Sequence, residues 1–350
     1  MTGEEPRRIL IIKPSALGDI VLALPALSAL KRSFPEARIS WFVRPEFAPL
    51  LEGHPYISDV ILFDRRRLSK WWCSLDSFKS LRSLVRQLKA GGYDLVFDFQ
   101  GLFRTAGLGW LSGAKRRFGM ANAREFGPLF YTHKVEQTED CVHLVDYFLK
   151  IVGQMGATDL KVEFLIPQNN EAAEAVRKLL AQNKVPINGY VVFVPGSAHE
   201  DKCWPRGRFA ELAERITERF GLAIVACGSA GEANIVKEMK ALSRTPIVDL
   251  AGKTTLKELV ELLRGARLVV SNDTGPGHIA AAMGTPMVMM FGWSNPVRIM
   301  PYGRPECVVA GEPDGRGAEI KSTAPQHSVS VITVERVFET VCRQISKKGS

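Results

Sequence analysis

The stretch LVVSNDTGPGHIAAAMGTPMVMMFG, Leu268 to Gly292, limits the fold more than any other part of the chain. Leu268 to Val270 is an apolar run that predicts a buried strand, and Ser271 to Gly277 is small, polar or helix-breaking throughout. His278 to Met283 predicts a short helix, Gly284-Thr285-Pro286 its stop, and Met287 to Phe291 the next strand. Strand, tight loop, helix, strand is a βαβ unit whose loop lies at the carboxyl end of a strand, where open α/β sheets bind ligands. Thr274, Gly275 and Gly277 allow a ligand close to the backbone, and the helix start offers unpaired N–H groups that suit a phosphate. On spacing alone an ordinary βα turn capped by Asn272 or Asp273 fits equally well.

The same grammar recurs along the chain. Arg8 to Lys13 predicts a buried strand, broken by Pro14 to Asp19, and Ile20 to Leu30 a helix with Pro25 in its first turns or at a kink. That loop lacks GxGxxG, so no nicotinamide-type fingerprint is present there. Asp19 stands where loop becomes helix, and serves either as a cap or as a carboxylate at the edge of the first strand. Strands follow at Ile39–Val43, Val60–Phe63 and Tyr93–Gly101, with a basic amphipathic helix over Phe78–Leu88. Polar sequence from Pro167 to Asn188 predicts the domain boundary. Tyr190 to Val194 then opens a second α/β unit, with strands again at Leu222–Gly228 and Ile247–Gly252 and a closing amphipathic helix over Thr333–Ile345.

At 350 residues the chain suffices for two domains of ordinary size. Its six cysteines are scattered without CxxC or zinc spacing, which suits a reducing cytoplasm. MTGEEPRRILIIK is no signal peptide, and the uncharged run Thr274–Val297 is too broken by Gly and Pro to span a membrane. Residues 60–124 hold thirteen Lys or Arg against four acids, an excess equal to the whole net charge of +9. Such a region calls for an anionic partner: nucleic acid, anionic lipid or a phosphorylated substrate. Arg65, Arg66, Arg67 and Lys70 are its first cluster and are candidates for binding an acceptor.

Several of these segments share one resemblance. SNDTGPGHIAAAMGTP, KPSALGDIVLALPAL, the YD-strand-QG segment Tyr93–Gly101, the Pro195-Gly196-Ser197 loop with a lysine before Trp204-Pro205, and the Gly228–Glu232 loop resemble the lipopolysaccharide heptosyltransferases, glycosyltransferase family 9. ANAREFGPLFY, Ala121 to Tyr131, is similar to the first heptosyltransferase of the inner core. The resemblance implies a GT-B arrangement of two Rossmann-like doubly wound α/β domains facing a central cleft. Residues 1–170 would bind the acceptor and 186–330 the nucleotide sugar, with a closing helix over 332–346 packing back on the first domain. It implies Asp19 as catalytic base, and Gln100, Arg104 and Arg124 on the acceptor side. On the donor side it implies Ser197, Lys202, Glu232, Asp273, Thr274, Gly275, Gly277 and His278. Lys202 would neutralise a diphosphate and Glu232 would accept from ribose hydroxyls. By residue type alone, Lys202 reads as solvated, Glu232 as a first-turn helix charge and His278 as structural.

The activity so implied is inverting transfer of heptose from ADP-heptose to the Kdo-lipid A inner core, without cofactor. No DxD or HExxH motif is present, so a metal is not expected. The expected partners are the ADP-sugar, an anionic lipid-linked acceptor and peripherally the anionic inner-membrane surface, from the cytoplasmic side. A related enzyme using another nucleotide sugar, such as the second heptosyltransferase or an epimerase, is an alternative. A basic-groove nucleic-acid-binding protein is another, but no RRM-type aromatic motif or zinc spacing supports it, and nucleic acid is not expected as a partner.

Overall fold

The computed structural model describes residues 5–68, 74–312, 316–317 and 319–347. The chain divides at Pro167/Gln168 into two contiguous units. Unit 1 opens with β1 (Arg8–Ile12), α1 (Leu17–Ser33), β2 (Arg38–Val43) and β3 (Asp59–Leu62), followed by α2 (Arg65–Leu68) and α3 (Leu75–Ala90). It continues with β4 (Leu95–Asp98), α4 (Phe103–Leu111), β5 (Arg116–Met120), β6 (His133–Val135) and α5 (Leu144–Gln154). Its sheet runs in the order β3-β2-β1-β4-β5-β6, every neighbouring pair parallel. β1 is apolar on both faces, as a strand covered by helices on either side must be. α1 continues unbroken to Ser33 with Pro25 in its middle rather than its first turns, and twelve of its seventeen residues are buried. Arg116 and Arg117, read from sequence as part of a charge cluster, lie in β5; the Arg117 guanidinium donates to the carbonyls of Phe130 and Ala114.

Unit 2 repeats the plan. It comprises α6 (Asn170–Gln182), β7 (Tyr190–Val194), α7 (Arg206–Phe220), β8 (Ala223–Ala226), α8 (Ala233–Leu242), β9 (Ile247–Asp249) and α9 (Leu256–Gly265). Then come β10 (Leu268–Asn272), α10 (Gly275–Ala282), β11 (Met287–Phe291), α11 (Pro296–Ile299), β12 (Val308–Ala310) and α12 (Val334–Lys347). The sheet order is β12-β11-β10-β7-β8-β9, again parallel throughout. In each unit the chain builds one side of the sheet outward from its first strand, then returns to that strand's other side. The resulting switch points lie between β1 and β4 and between β7 and β10, and both crevices open at the carboxyl ends of the strands.

Two domain expectations need correction. α6 lies beyond the division and packs on α9 of unit 2, where the Asn169 backbone N–H donates to buried Glu261, so the second unit begins near 168 and not 186. The closing helix, expected on the first domain, has its core contacts in unit 2. α12 packs on α7, β10, β11 and β12, and buries Val334, Val337, Val341 and Ile345 in the core of unit 2. The apolar stripe of that helix is buried against its own sheet. Among the described residues no helix is long and apolar enough to cross a membrane.

Candidate functional site

The unit 1 switch point gathers Lys13, Asp19 and Gln100. Lys13 follows the last residue of β1, and its ammonium, 4% exposed, donates to Asp19 Oδ2 at 3.0 Å and Gln100 Oε1 at 3.3 Å. Asp19 is the third residue of α1. Its cap bond from the Ala16 N–H is long, 3.4 Å, and Ala16 has no side-chain acceptor to complete a capping box, so the main partner of the carboxylate is Lys13. The Asp19 side chain remains 39% exposed. A carboxylate that is both fixed and reachable can take a proton from a bound hydroxyl.

Gln100 is held from beneath. Asp98, buried at the end of β4, accepts from the Gln100 and Gly101 N–H groups, Thr105 Oγ1 and Tyr131 Oη. Burial pushes its carboxyl up, offset in part by those four donors. With every approach occupied by the protein, Asp98 shapes the loop into α4 and is not available as a substitute base.

The acceptor candidates are spread. The Arg124 N–H donates to the Gly101 carbonyl, which brings its segment to the Gln100 loop, and Arg104 lies on the first turn of α4. Both side chains are exposed. Arg65, Arg66 and Arg67 are exposed on α2, which follows the edge strand β3, two strands from β1. Arg67 instead borders a surface cavity of about 530 Å³ with Asp64, Asp76 and Lys79. Lys70 lies outside the described residues.

The unit 2 switch point is built on buried Asn272. Its amide donates to the Pro195 carbonyl and accepts from the Trp204 N–H, so it ties the loops after β7 and β10 together. Next to it Asp273 Oδ2 accepts from Lys202 Nζ at 2.6 Å and Oδ1 pairs with His278 Nε2 at 3.4 Å. Burial alone would raise the Asp273 carboxyl, yet the His278 hydrogen bond and the Lys202 ammonium together hold it well below the usual carboxylate range. An ionised Asp273 only accepts, so His278 carries its proton on Nε2. His278 Nδ1 is buried and has no hydrogen-bond partner. It sits in the first turn of α10, beside the helix N-terminus. Exposure in this pair is the reverse of unit 1: Lys202 is 28% exposed and Asp273 5%.

Two donor-side residues carry structural roles as well. A Cβ at Gly277 would meet Met289 Cε and Ser271 Oγ, each at 2.7 Å, so this glycine sets the close packing of α10 on its strands. Glu232 curls back, its Oε2 accepting from Ser229 N and Oγ. That is a capping box, legible in the Ser-x-x-Glu spacing, and it leaves Oε1 beside Gly196. Ser197 is half-buried in the loop after β7, and Thr274 is the N-cap of α10 with Oγ1 3.0 Å from Ser271 Oγ. Gly275 is the first residue of that helix. Lys13 and the clamp role of Asn272 escaped the sequence reading. A lysine following the apolar run Ile9–Ile12 was the available signal, since lysines are rarely buried unless paired.

The profile of glycosyltransferase family 9 (heptosyltransferase) matches residues 81–328. The chain belongs to glycosyltransferase family 9. It is 32% identical to lipopolysaccharide heptosyltransferase 1 of Pseudomonas aeruginosa, over 85% of this chain and 82% of that one. Among solved structures, the family 9 glycosyl transferase of Veillonella parvula superposes with a TM-score of 0.82 at 24% identity, covering 97% of each chain. An Escherichia coli heptosyltransferase solved with ADP-2-deoxy-2-fluoro heptose gives a TM-score of 0.71 at 25% identity, over 98% of this chain and 100% of that one. The protein is thus a glycosyltransferase with the paired doubly wound sheets of the GT-B class.

Proposed function

We propose that this glycosyltransferase moves heptose from ADP-heptose onto the Kdo-lipid A inner core of lipopolysaccharide, at the cytoplasmic face of the inner membrane. The observation that carries the reading is the fixed, half-exposed carboxylate of Asp19 at one switch point, in a chain whose other switch point presents an ammonium and a helix N-terminus. Asp19 takes the proton of the acceptor hydroxyl, and that oxygen attacks the anomeric carbon. The bond from that carbon to the diphosphate oxygen breaks, and the configuration inverts. ADP leaves with its new negative charge facing Lys202 and the N–H groups at the start of α10. Both oxygens of Asp273 already serve Lys202 and His278, so in this reading the lysine, not a metal, neutralises the diphosphate. Ser197 and Glu232 Oε1 meet the nucleoside, and Gln100, Arg104 and Arg124 the anionic acceptor.

The relatives support the donor and acceptor classes: one acts by name on lipopolysaccharide, another was solved with an ADP-heptose analogue. The test is mass spectrometry of the product formed from ADP-heptose and Kdo-lipid A. One added heptose is expected, with the inverted anomer by NMR. Release of free heptose alone, or an isomerised nucleotide sugar with the acceptor untouched, overturns the reading.

A further inference from the structure

We infer that α4 and the turn packed on it form a docking surface for an anionic lipid bilayer. Four of the twelve large apolar side chains exposed among the described residues fall here: Phe103, Trp110, Phe126 and Leu129. Phe103 and Trp110 are seven residues apart, on one face of α4. Phe130, in the 3₁₀ turn Gly127–Phe130, joins them with ring centroids 5.3 Å from Phe103 and 6.1 Å from Trp110. Gly107 lies between them on the helix, and Phe130 passes within 3.9 Å of where its Cβ would be. The result is a continuous aromatic ridge and not a scatter of single residues.

The backbone is shaped to the same end. Phe126 holds φ +60°, left-handed, and is 78% exposed; Leu129 is 75% exposed. A bulky non-glycine residue at positive φ is disfavoured, and here most of its surface is exposed to water. Along this stretch of chain the charge is one-sided. Residues 101–135 carry six Lys or Arg and a single acid, Glu125. Of these Arg104, Lys115, Arg124 and Lys134 are exposed.

Aromatic side chains that prefer the headgroup level, rimmed by cations without carboxylate partners, match an anionic leaflet. Apolar contact and electrostatic attraction are the two signals that stable peripheral binding needs. The surface stands on its own observations; its purpose rests on the proposed lipid-linked acceptor, because Arg124 meets the Gln100 loop through Gly101. Docking there brings a membrane-held sugar to the unit 1 switch point.

The test is co-sedimentation of the full chain with vesicles of phosphatidylglycerol and phosphatidylethanolamine, against phosphatidylcholine alone. Binding to the first and not the second is expected, weakening as salt rises. Replacing Trp110, Phe126 and Leu129 by Ser together should lower the partition coefficient roughly tenfold or more, since binding scales with buried apolar area. Transfer to a soluble, deacylated acceptor should be unchanged, so failure of the docking surface and failure of the proposed activity read out separately. Phe126→Gly is the second variant: glycine favours the left-handed backbone, so Tm should hold or rise while vesicle binding falls. Wild-type protein that ignores anionic vesicles, or variants that bind them equally well, overturn the inference. So does a wild-type dimer that the triple variant splits in sedimentation velocity, which would make the ridge a contact between copies.

Discussion

The two switch points carry the same kind of pair with the burial exchanged. In unit 1 Lys13 is enclosed and Asp19 faces outward; in unit 2 Asp273 is enclosed and Lys202 faces outward. Coulomb attraction is similar in both, so it does not decide what each site does. Burial does, because only the outer member can meet a ligand. One half of the chain therefore turns a negative group outward and the other a positive group, which under the proposed function take the acceptor's proton and meet the diphosphate. The inner member holds the outer one in place, at the desolvation cost that any buried charge carries.

The strongest way to break this comparison is Asp19→Asn. The amide keeps the shape but cannot take a proton, so kcat should fall by about 10²–10⁴-fold with Tm close to wild type. A kcat within a few-fold of wild type would reduce the outward carboxylate to a helix cap, for which Asn serves well. The counterpart in unit 2 is Lys202→Met. A charge-assisted hydrogen bond is worth about 1.5–3 kcal/mol, so ADP should bind roughly ten- to a hundredfold more weakly by calorimetry, with acceptor KM little changed. Lys202→Arg should recover part of the loss. An equal change in both substrates would mean that the unit 2 pair is a structural brace.

A smaller effect separates the halves by pH. Burial pulls His54, in unit 1, from 6.5 down to about 4, opposed by its hydrogen bond to the Leu165 carbonyl. Its neutral ring accepts from the Tyr56 N–H and donates to that carbonyl. As pH falls from 6.5 towards 4 the unfolded chain binds a proton that the folded one refuses, so unit 1 loses stability across that window, by at most about 3 kcal/mol. Buried Asp98, whose carboxyl is pushed up, works the other way as the pH drops, so the measure is the difference between wild type and His54→Gln. In unit 2 the depressed Asp273 adds stability above its unfolded value of 3.8, which is lost only as pH falls below it. Hydrogen exchange at pH 5 against pH 7.5 should show faster opening around residues 54–57 in wild type, much less in His54→Gln. Equal loosening of both units would contradict the assignment.

Much of the architecture was legible because its signals are local. Short apolar runs broken by Pro or Gly or by small polar residues marked β1, β2, β7, β8, β10 and β11, and their loops marked the switch points. What stayed hidden depends on side chains meeting across the sheet. Lys13 and Gln100 are 87 residues apart, and Lys202 and Asp273 71, so neither pairing has a sequence signature. The basic cluster was equally visible as charge and equally blind as geometry: Arg117 spends its donors on backbone carbonyls, Arg65–Arg67 follow an edge strand, and Arg124 reaches the Gln100 loop. The amphipathic stripe of α12 announced that the helix would be buried, but not against which sheet.

That last helix has an evolutionary consequence. Because α12 covers the sheet from which its own chain emerges, the polypeptide passes from one unit to the other only once, at Pro167/Gln168. A single recombination at that point exchanges a whole half without orphaning any strand or helix. A lineage with this layout can trade its two halves as separate cassettes, each arriving with its own core intact.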